Sequence, residues 1–358
     1  MYNEAHMGIG ILFLQLAFLW CAALLFGQLA RRLKQPAVLG ELIGGVVLGP
    51  TVFGVWAPEL SRMISVGPAE LVDGRTAIIK TALLLFLFTV GLEMDFANLW
   101  RQRRLVLSAT AFGIAVPFLS GFCLVQCFPS LWASGSAGGI LLAAFIGTAL
   151  SISALPVIAR ILQDFKLMKT SFGATVMASA TLTDIIGWAL FAVILKSTAA
   201  AQLSAGAAVS VSVIDLTLVV FILGVICAPF WRVAARWQEK LLWVIRNVAA
   251  PVYFISVGLK FNFAQNFDLV LVAVVFVVAC LGKVLGVTLG ASWAGMPFNK
   301  SLAAGFALNA RGAMEIVLAT VALEAGLIDE RIFVSLFVMA LGTSILSGPV
   351  MQRLIKAS

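Results

Sequence analysis

Long apolar runs follow one another along almost the whole chain, separated by short segments that collect charge and proline. An α-helix needs about 20 mainly apolar residues to cross a hydrocarbon layer roughly 30 Å thick. Hydropathy and loop punctuation predict about eleven such spans. The first six are Met7–Ala30, Ala37–Trp56, Ala77–Phe96, Leu105–Cys127, Gly138–Gln163 and Ser171–Ser197. The other five are Ala207–Trp231, Leu241–Phe263, Phe267–Trp293, Ser301–Ala325 and Arg331–Leu354. Lipid offers no partner to a backbone N–H or C=O, so successive spans of this kind imply an all-α polytopic membrane protein. With 62% hydrophobic and 11% charged residues among 358, the chain reads as one transmembrane domain over residues 1–358, not a soluble domain with an anchor. Met7–Ala30 is too long for a secretory signal and runs on into further spans.

Charge orders these spans. Loops after odd-numbered spans, with the C-terminal tail, hold Arg31, Arg32, Lys34, Arg101, Arg103, Arg104, Arg160, Lys166, Lys169, Arg232, Arg236, Lys240, Lys300, Arg353 and Lys356. The opposite side holds Arg62, Arg75, Lys196, Lys260 and Arg331. Such an asymmetry places the N-terminus outside and the C-terminus in the cytoplasm. It also accounts for the net charge of +8 without a nucleic-acid partner. The one histidine, His6, precedes the first span, and the five cysteines show no CxxC spacing. Histidine chemistry inside the membrane, a zinc site and a disulfide frame are therefore not indicated, and an enzyme is not expected.

The chain repeats itself. LFTVGLEMDFAN (Leu87–Asn98) matches FISVGLKFNFAQ (Phe254–Gln265). Leu142-Ala143-Ala144 and Leu302-Ala303-Ala304 open two spans that are both interrupted shortly afterwards, and Gly45 and Pro50 have counterparts in Gly224 and Pro229. The matches occur in one order and relate a first repeat, about 37–197, to a second, about 207–356. A shift by an odd number of spans makes the repeats inverted in the membrane, an architecture of secondary transporters.

Charges inside the spans point to a site. Asp184 lies 13 residues into Ser171–Ser197, roughly 20 Å along a helix. A carboxylate at that depth is costly and is usually retained for an ion pathway or a relay. In the fifth span Pro156 interrupts the helix after Thr148, Ser151 and Ser153; an ordinary proline kink is the simpler alternative. The tenth span carries Asn309, Arg311, Gly312 and Glu315 at the corresponding depth. Arg311 and Glu315, four apart on one face, read first as a structural ion pair. Lys283, alone in the ninth span, needs a carboxylate, and Asp184 is the expected partner, as a proton-coupled pair or a plain salt bridge. Glu93 is a candidate funnel acid or an interface residue; Glu41, Asp215, Lys80 and Arg246 are not expected to be ligands.

GELIGGVVLGP, LFTVGLEMDF, TALSISALPVIARIL, the TLTD of the sixth span, LGKVLG and LNARGAMEI stand in the order seen in the cation:proton antiporter-2 family, which the chain resembles over nearly its whole length. The resemblance implies the inverted-repeat sodium/proton antiporter fold, with two crossed discontinuous helices beside a dimerisation side that includes span 7–30. It also implies a homodimer and elevator-like alternation. Asp184 is then similar to the ion-binding aspartate, with Thr183 before it. Thr148, Ser151 and Ser153 match the unwound crossing segment, Lys283 the lysine paired with the acid, and Arg311 and Glu315 the charged motif of the second broken helix. Two departures stand out. Only one span fits between the sixth and the second-repeat match near Val219, and no nucleotide-binding regulatory domain follows before Ser358.

The expectation is a monovalent cation/proton antiporter, exchanging Na+ or K+ for H+ at Asp184 by alternating access. It would need no cofactor and would sit in a lipid bilayer such as a bacterial inner membrane. Thr183, Thr148, Ser151 and Ser153 would complete an oxygen shell, the ligand type that hard cations prefer. The alternative is a non-transporting or sensor-like homologue in which an Asp184–Lys283 pair only stabilises the bundle.

Overall fold

In the computed structural model, residues 2–33, 35, 37–59, 72–92, 103–132, 139–204, 216, 219–227, 235–260 and 262–356 are described. The main helices are α1 (Tyr2–Arg32), α2 (Ala37–Leu48), α3 (Val72–Leu92), α4 (Arg103–Cys127), α5 (Gly139–Ser151), α6 (Leu155–Asp164) and α7 (Ser171–Ser204). They are followed by α8 (Ala235–Val244), α9 (Ala250–Lys260), α10 (Leu269–Trp293), α11 (Phe298–Leu308), α12 (Ala313–Glu324) and α13 (Glu330–Lys356). A π-helical turn, Ile245–Ala249, joins α8 to α9.

Among the described residues, seven helices are long and apolar enough to cross a membrane, or eight if α11 and α12, bent by 46°, form one span. The expected count of about eleven is not confirmed among the described residues. The fifth span divides into α5 and α6, each too short to cross alone, and most of Ala207–Trp231 lies outside the described residues. The helix that carries Asp184 starts at Ser171 as expected but runs on to Ser204.

Two compact units make up the chain, and each draws on both of its halves. The first comprises Met1–Met94 and Asp215–Asn266. Here α2 packs against α1 and α9 at contacts too close for side chains. A Cβ at Gly45 would stand 2.2 Å from the Ile255 carbonyl oxygen, and one at Gly258 2.4 Å from that of Leu42. Helix α3 meets the helical segment 219–227 in the same way. A Cβ at Gly91 would be 2.5 Å from the Phe221 oxygen, and one at Gly224 2.3 Å from that of Phe88. In all four cases the obstructing carbonyl lies three residues before the partner glycine. The repeat read from the sequence pairs Gly45 with Gly224 and Gly91 with Gly258, so it maps one crossing onto the other. Close backbone approach at small residues is how helices associate without a hydrophobic drive in lipid. A further tie runs from Trp20 Nε1 to the Asn247 carbonyl, 2.7 Å away. The ordinary helical donor to that oxygen would be residue 251, a proline without an N–H.

The second unit comprises Asp95–Ile214 and Phe267–Ser358. Helix α10 lies along α4 on a stripe of Gly282, Gly286 and Gly290, where added Cβ atoms would meet Pro117, Phe112 and Ser108. Ser108 Oγ donates to the Gly290 carbonyl at 2.7 Å across this seam. Two helices in the unit are broken. The chain leaves α5 at Ser151, runs extended through Ala154 and restarts as α6 with a proline in its first turn, where a missing N–H costs nothing. It leaves α11 at Leu308 and restarts as α12 after Gly312. The two breaks bond each other: the Ala154 N–H donates to the Ala310 carbonyl at 2.9 Å, and Ser153 Oγ to that of Leu308 at 2.7 Å.

Replacing Gly258 with valine drives a side chain into the Leu42 carbonyl. The expected cost is about 1–3 kcal/mol, read as a lowered thermal midpoint of the detergent-solubilised protein. Gly139→Ala, where a Cβ meets nothing within 4 Å, is expected to leave the midpoint within error.

Candidate ion-binding site

A helix that stops inside a membrane leaves its last carbonyls without N–H partners and its negative dipole end uncovered. At the end of α5 each of these oxygens is claimed. Thr148 O accepts from the Ile152 N–H at 3.2 Å. Arg311 Nη1 donates to Ala149 O at 2.6 Å, and Arg311 Nη2 donates to Leu150 O. Lys283 Nζ donates to Ser151 O. Two cations from the second half of the chain therefore cap a helix of the first half.

Both cations are held elsewhere as well. Arg311 Nη1 also pairs with Glu315 Oε1 at 3.2 Å, and both side chains are buried. This is the i,i+4 ion pair expected from the sequence, at the start of α12, where a carboxylate suits the positive helix end. The carbonyl of Arg311 accepts from Ser344 Oγ on α13. Lys283 Nζ makes a second bond, 3.1 Å, to the Gly113 carbonyl of α4. That oxygen is free because the residue four positions on is Pro117, which has no N–H to offer.

Asp184 sits in the middle of α7 with no exposed surface. Among the described residues neither carboxylate oxygen has a hydrogen-bond partner. The N–H of Leu155, the first residue of α6, lies at the margin of hydrogen-bond geometry to it, and the Lys283 ammonium acts on it electrostatically. The direct Asp184–Lys283 ion pair expected from the sequence is not made, because the ammonium is occupied by carbonyls set free at the α5 break and the α4 proline. Helix α7 comes close to the α5–α6 break at Gly187, where a Cβ would be 2.4 Å from Ile152 Cγ1.

Other candidate residues are buried in the same unit. Thr183 Oγ1 donates to Ser179 O at 2.8 Å, Thr148 Oγ1 to Ala144 O at 2.8 Å and Ser151 Oγ to Gly147 O at 2.7 Å. With their hydrogens turned to the backbone, these hydroxyls keep oxygen lone pairs for a cation. Asn309 Nδ2 contacts Cys280 Sγ at 3.4 Å, and its Oδ1 has no partner among the described residues. The same is true of Ser179 Oγ. Glu93 and Asp215 lie outside the described residues. No three His, Cys, Asp or Glu gather among the described residues, so nothing here resembles a transition-metal centre. The buried polar groups of this unit include a carboxylate, hydroxyls and an amide oxygen, ligand types that a hard cation prefers.

Sequence reasoning missed Gly113, Pro117, Ser179 and Ser344. Of these, Pro117 carried a usable signal, since a proline inside a membrane helix advertises a free carbonyl four residues earlier. Removing the Arg311 cap by Arg311→Met leaves Glu315 and two carbonyls stranded. The expected loss is about 3–5 kcal/mol, read by thermal unfolding in detergent. Adding Glu315→Gln to that variant is expected to recover part of the loss, because the two side chains share one interaction.

Known proteins are similar to this chain along most of its length. The chain is 28% identical to Cation/H(+) antiporter 17 of Arabidopsis thaliana over 99% of its own length and 49% of the relative's, so it spans about half of that protein. It is 26% identical to Na(+)/H(+) antiporter NhaS4 of Synechocystis sp., covering 94% of this chain and 95% of the relative. K(+)/H(+) antiporter 1 of Saccharomyces cerevisiae is also 26% identical, over 89% and 43% of the two chains. The solved structure of the sodium proton antiporter MjNhaP1 from Methanocaldococcus jannaschii superimposes with a TM-score of 0.63 at 16% identity, covering 98% and 99% of the two chains. The family model described as "Sodium/hydrogen exchanger, transmembrane" matches residues 20–242 and 199–357, and the chain belongs to that family.

Proposed function

We propose that the protein is a secondary antiporter that exchanges a monovalent cation, Na+ or K+, for a proton, with Asp184 carrying either one. The observation that carries this reading is a fully buried carboxylate with no hydrogen bond to either oxygen, beside two broken helices. A carboxylate left in that state is poorly stable, so it favours whichever positive species reaches it. It cannot readily cross the membrane charged and empty, and this is the condition for obligatory exchange. Thr183, Thr148, Ser151 and Ser153 supply neutral oxygens around the ion. The related proteins named for Na(+)/H(+), K(+)/H(+) and cation/H(+) exchange support the same class.

The alternative is a purely structural Asp184 that balances Lys283; the two groups act on each other electrostatically, and the lack of a direct hydrogen bond between them supports the carrier reading. Lys283 is bonded to carbonyls at the end of α5 and in α4, so Asp184 is the group that changes ligand in this reading. One cation then replaces one proton on one carboxylate, and the exchange is electroneutral. The body bearing Asp184 would present it alternately to the two sides. The excess of Lys and Arg in loops after odd-numbered predicted spans supports a cytoplasmic C-terminus.

In proteoliposomes, wild-type protein is expected to move protons against a gradient of Na+ or K+, and Asp184→Asn is expected to abolish that movement. Cation-dependent proton flux persisting in the asparagine variant would sink the proposal. Imposed membrane potential is expected to leave the wild-type rate unchanged. Because proton and cation compete for one group, the apparent KM for the cation should rise about tenfold per pH unit on the acid side of the Asp184 titration.

A further inference from the structure

We infer that the C-terminal end of α11, with the side-chain oxygen of Asn309, is a seat for the transported cation that a proton cannot use. The inference rests on the reading of the protein as a cation carrier.

A half-helix that ends inside the membrane turns a negative pole to its surroundings, and such ends hold cations in transporters built from inverted repeats. The second unit has two of them, and their surroundings differ. The end of α5 is already covered by positive charge, from Arg311 on Ala149 and Leu150 and from Lys283 on Ser151. Among the described residues the end of α11 is met by neutral donors. The Asn309 N–H bonds the Gly305 carbonyl at 3.0 Å, and the Ala310 N–H bonds that of Ala307 at 3.3 Å. Ser153 Oγ donates to Leu308 O at 2.7 Å, and the Ala154 N–H to Ala310 O at 2.9 Å. Arg311 stands in the same break, yet its guanidinium is directed to α5 and to Glu315.

An independent observation falls at the same place. Asn309, the capping residue of α11, is fully buried, and its Oδ1 has no hydrogen-bond partner among the described residues. Its Nδ2 lies 3.4 Å from Cys280 Sγ, which leaves the oxygen as the open end of the amide. A buried amide oxygen without a donor is costly, and a monovalent cation removes that cost. An amide oxygen is an acceptor only and too weak a base to keep a proton near neutral pH. Asp184 takes either species, whereas this oxygen takes the cation alone. One short stretch of chain joins the two: Ser153 and Ala154 bond the end of α11, and the next N–H, that of Leu155, faces Asp184. Charge balance permits the occupancy. Glu315 offsets Arg311 and an ionised Asp184 offsets Lys283, so the cation restores the charge that the departing proton removed.

Asn309→Leu keeps the bulk and removes the oxygen. If Asn309 were only structural, deleting an unpaired buried oxygen would leave cation affinity unchanged. As a seat for the cation, its loss is expected to raise the apparent KM for Na+ or K+ about tenfold in proteoliposomes, as for loss of one contact to a charged group. The pH below which KM begins to rise is expected to stay in place, because proton binding at Asp184 sets it. The second measurement needs no transport. The thermal midpoint of the detergent-solubilised protein is titrated with NaCl or KCl against choline chloride at constant ionic strength. Wild type is expected to gain in midpoint with Na+ or K+, and Asn309→Leu to lose most of that gain. Asn309→Ser, smaller and with a hydroxyl acceptor, serves if the leucine variant does not fold, and its KM and gain are expected to be intermediate. A KM and a midpoint gain equal to wild type in the variant that folds overturn the inference, and so does a wild type whose midpoint responds to neither cation. Stabilisation that depends on position 309 but comes without proton flux in the wild type would instead refute the antiport reading and leave the cation seat standing.

Discussion

The uncovered C-terminus of α5 is the constraint on which the candidate site depends. A helix ending within the hydrocarbon layer is tolerated only where its last carbonyls find donors. In this protein the donors are two buried cations, Arg311 and Lys283, with one backbone N–H. Neither cation is free to leave. Arg311 is also held through Glu315 and through Ser344, and Lys283 through Gly113. The broken helices are thus cross-braced by charge.

This bracing leaves one acid over. Of the buried charges in the second unit, Arg311 and Glu315 neutralise each other and Lys283 answers a helix dipole. Asp184 has no hydrogen-bonded partner among the described residues. The asymmetry separates Glu315, which completes the brace, from Asp184, which stands outside it at similar burial. An acid that completes a brace cannot exchange its ligand without loosening the fold, whereas an acid outside the brace can.

Much of this was legible in the sequence, and the rest was hidden for definable reasons. Pro156 and the hydroxyls before it marked the first break, and Asn309–Gly312 the second, because irregular backbone in a membrane helix needs small or polar residues. The Arg311–Glu315 pair followed from helical spacing alone. Lys283 was harder. Its charge announced a need for a partner, and Asp184 was the nearest carboxylate to suggest, but a backbone carbonyl has no letter in a sequence. Only the juxtaposition of α4, α5 and α10 shows that two such oxygens lie within reach. Hydropathy alone reads Gly138–Gln163 as one span; it was the proline, and not hydropathy, that marked its division into two short helices.

The glycine crossings of the first unit have a mechanical consequence. Where α2 meets α9, and α3 meets the segment 219–227, main chain touches main chain, with no side chain between them. Side-chain interfaces yield by hopping between rotamers, and a load on them is spread over many small adjustments. A main-chain crossing has no such compliance: it transmits a displacement whole or it separates. The first unit is therefore riveted at two points, so that a load placed on it must be absorbed elsewhere in the chain.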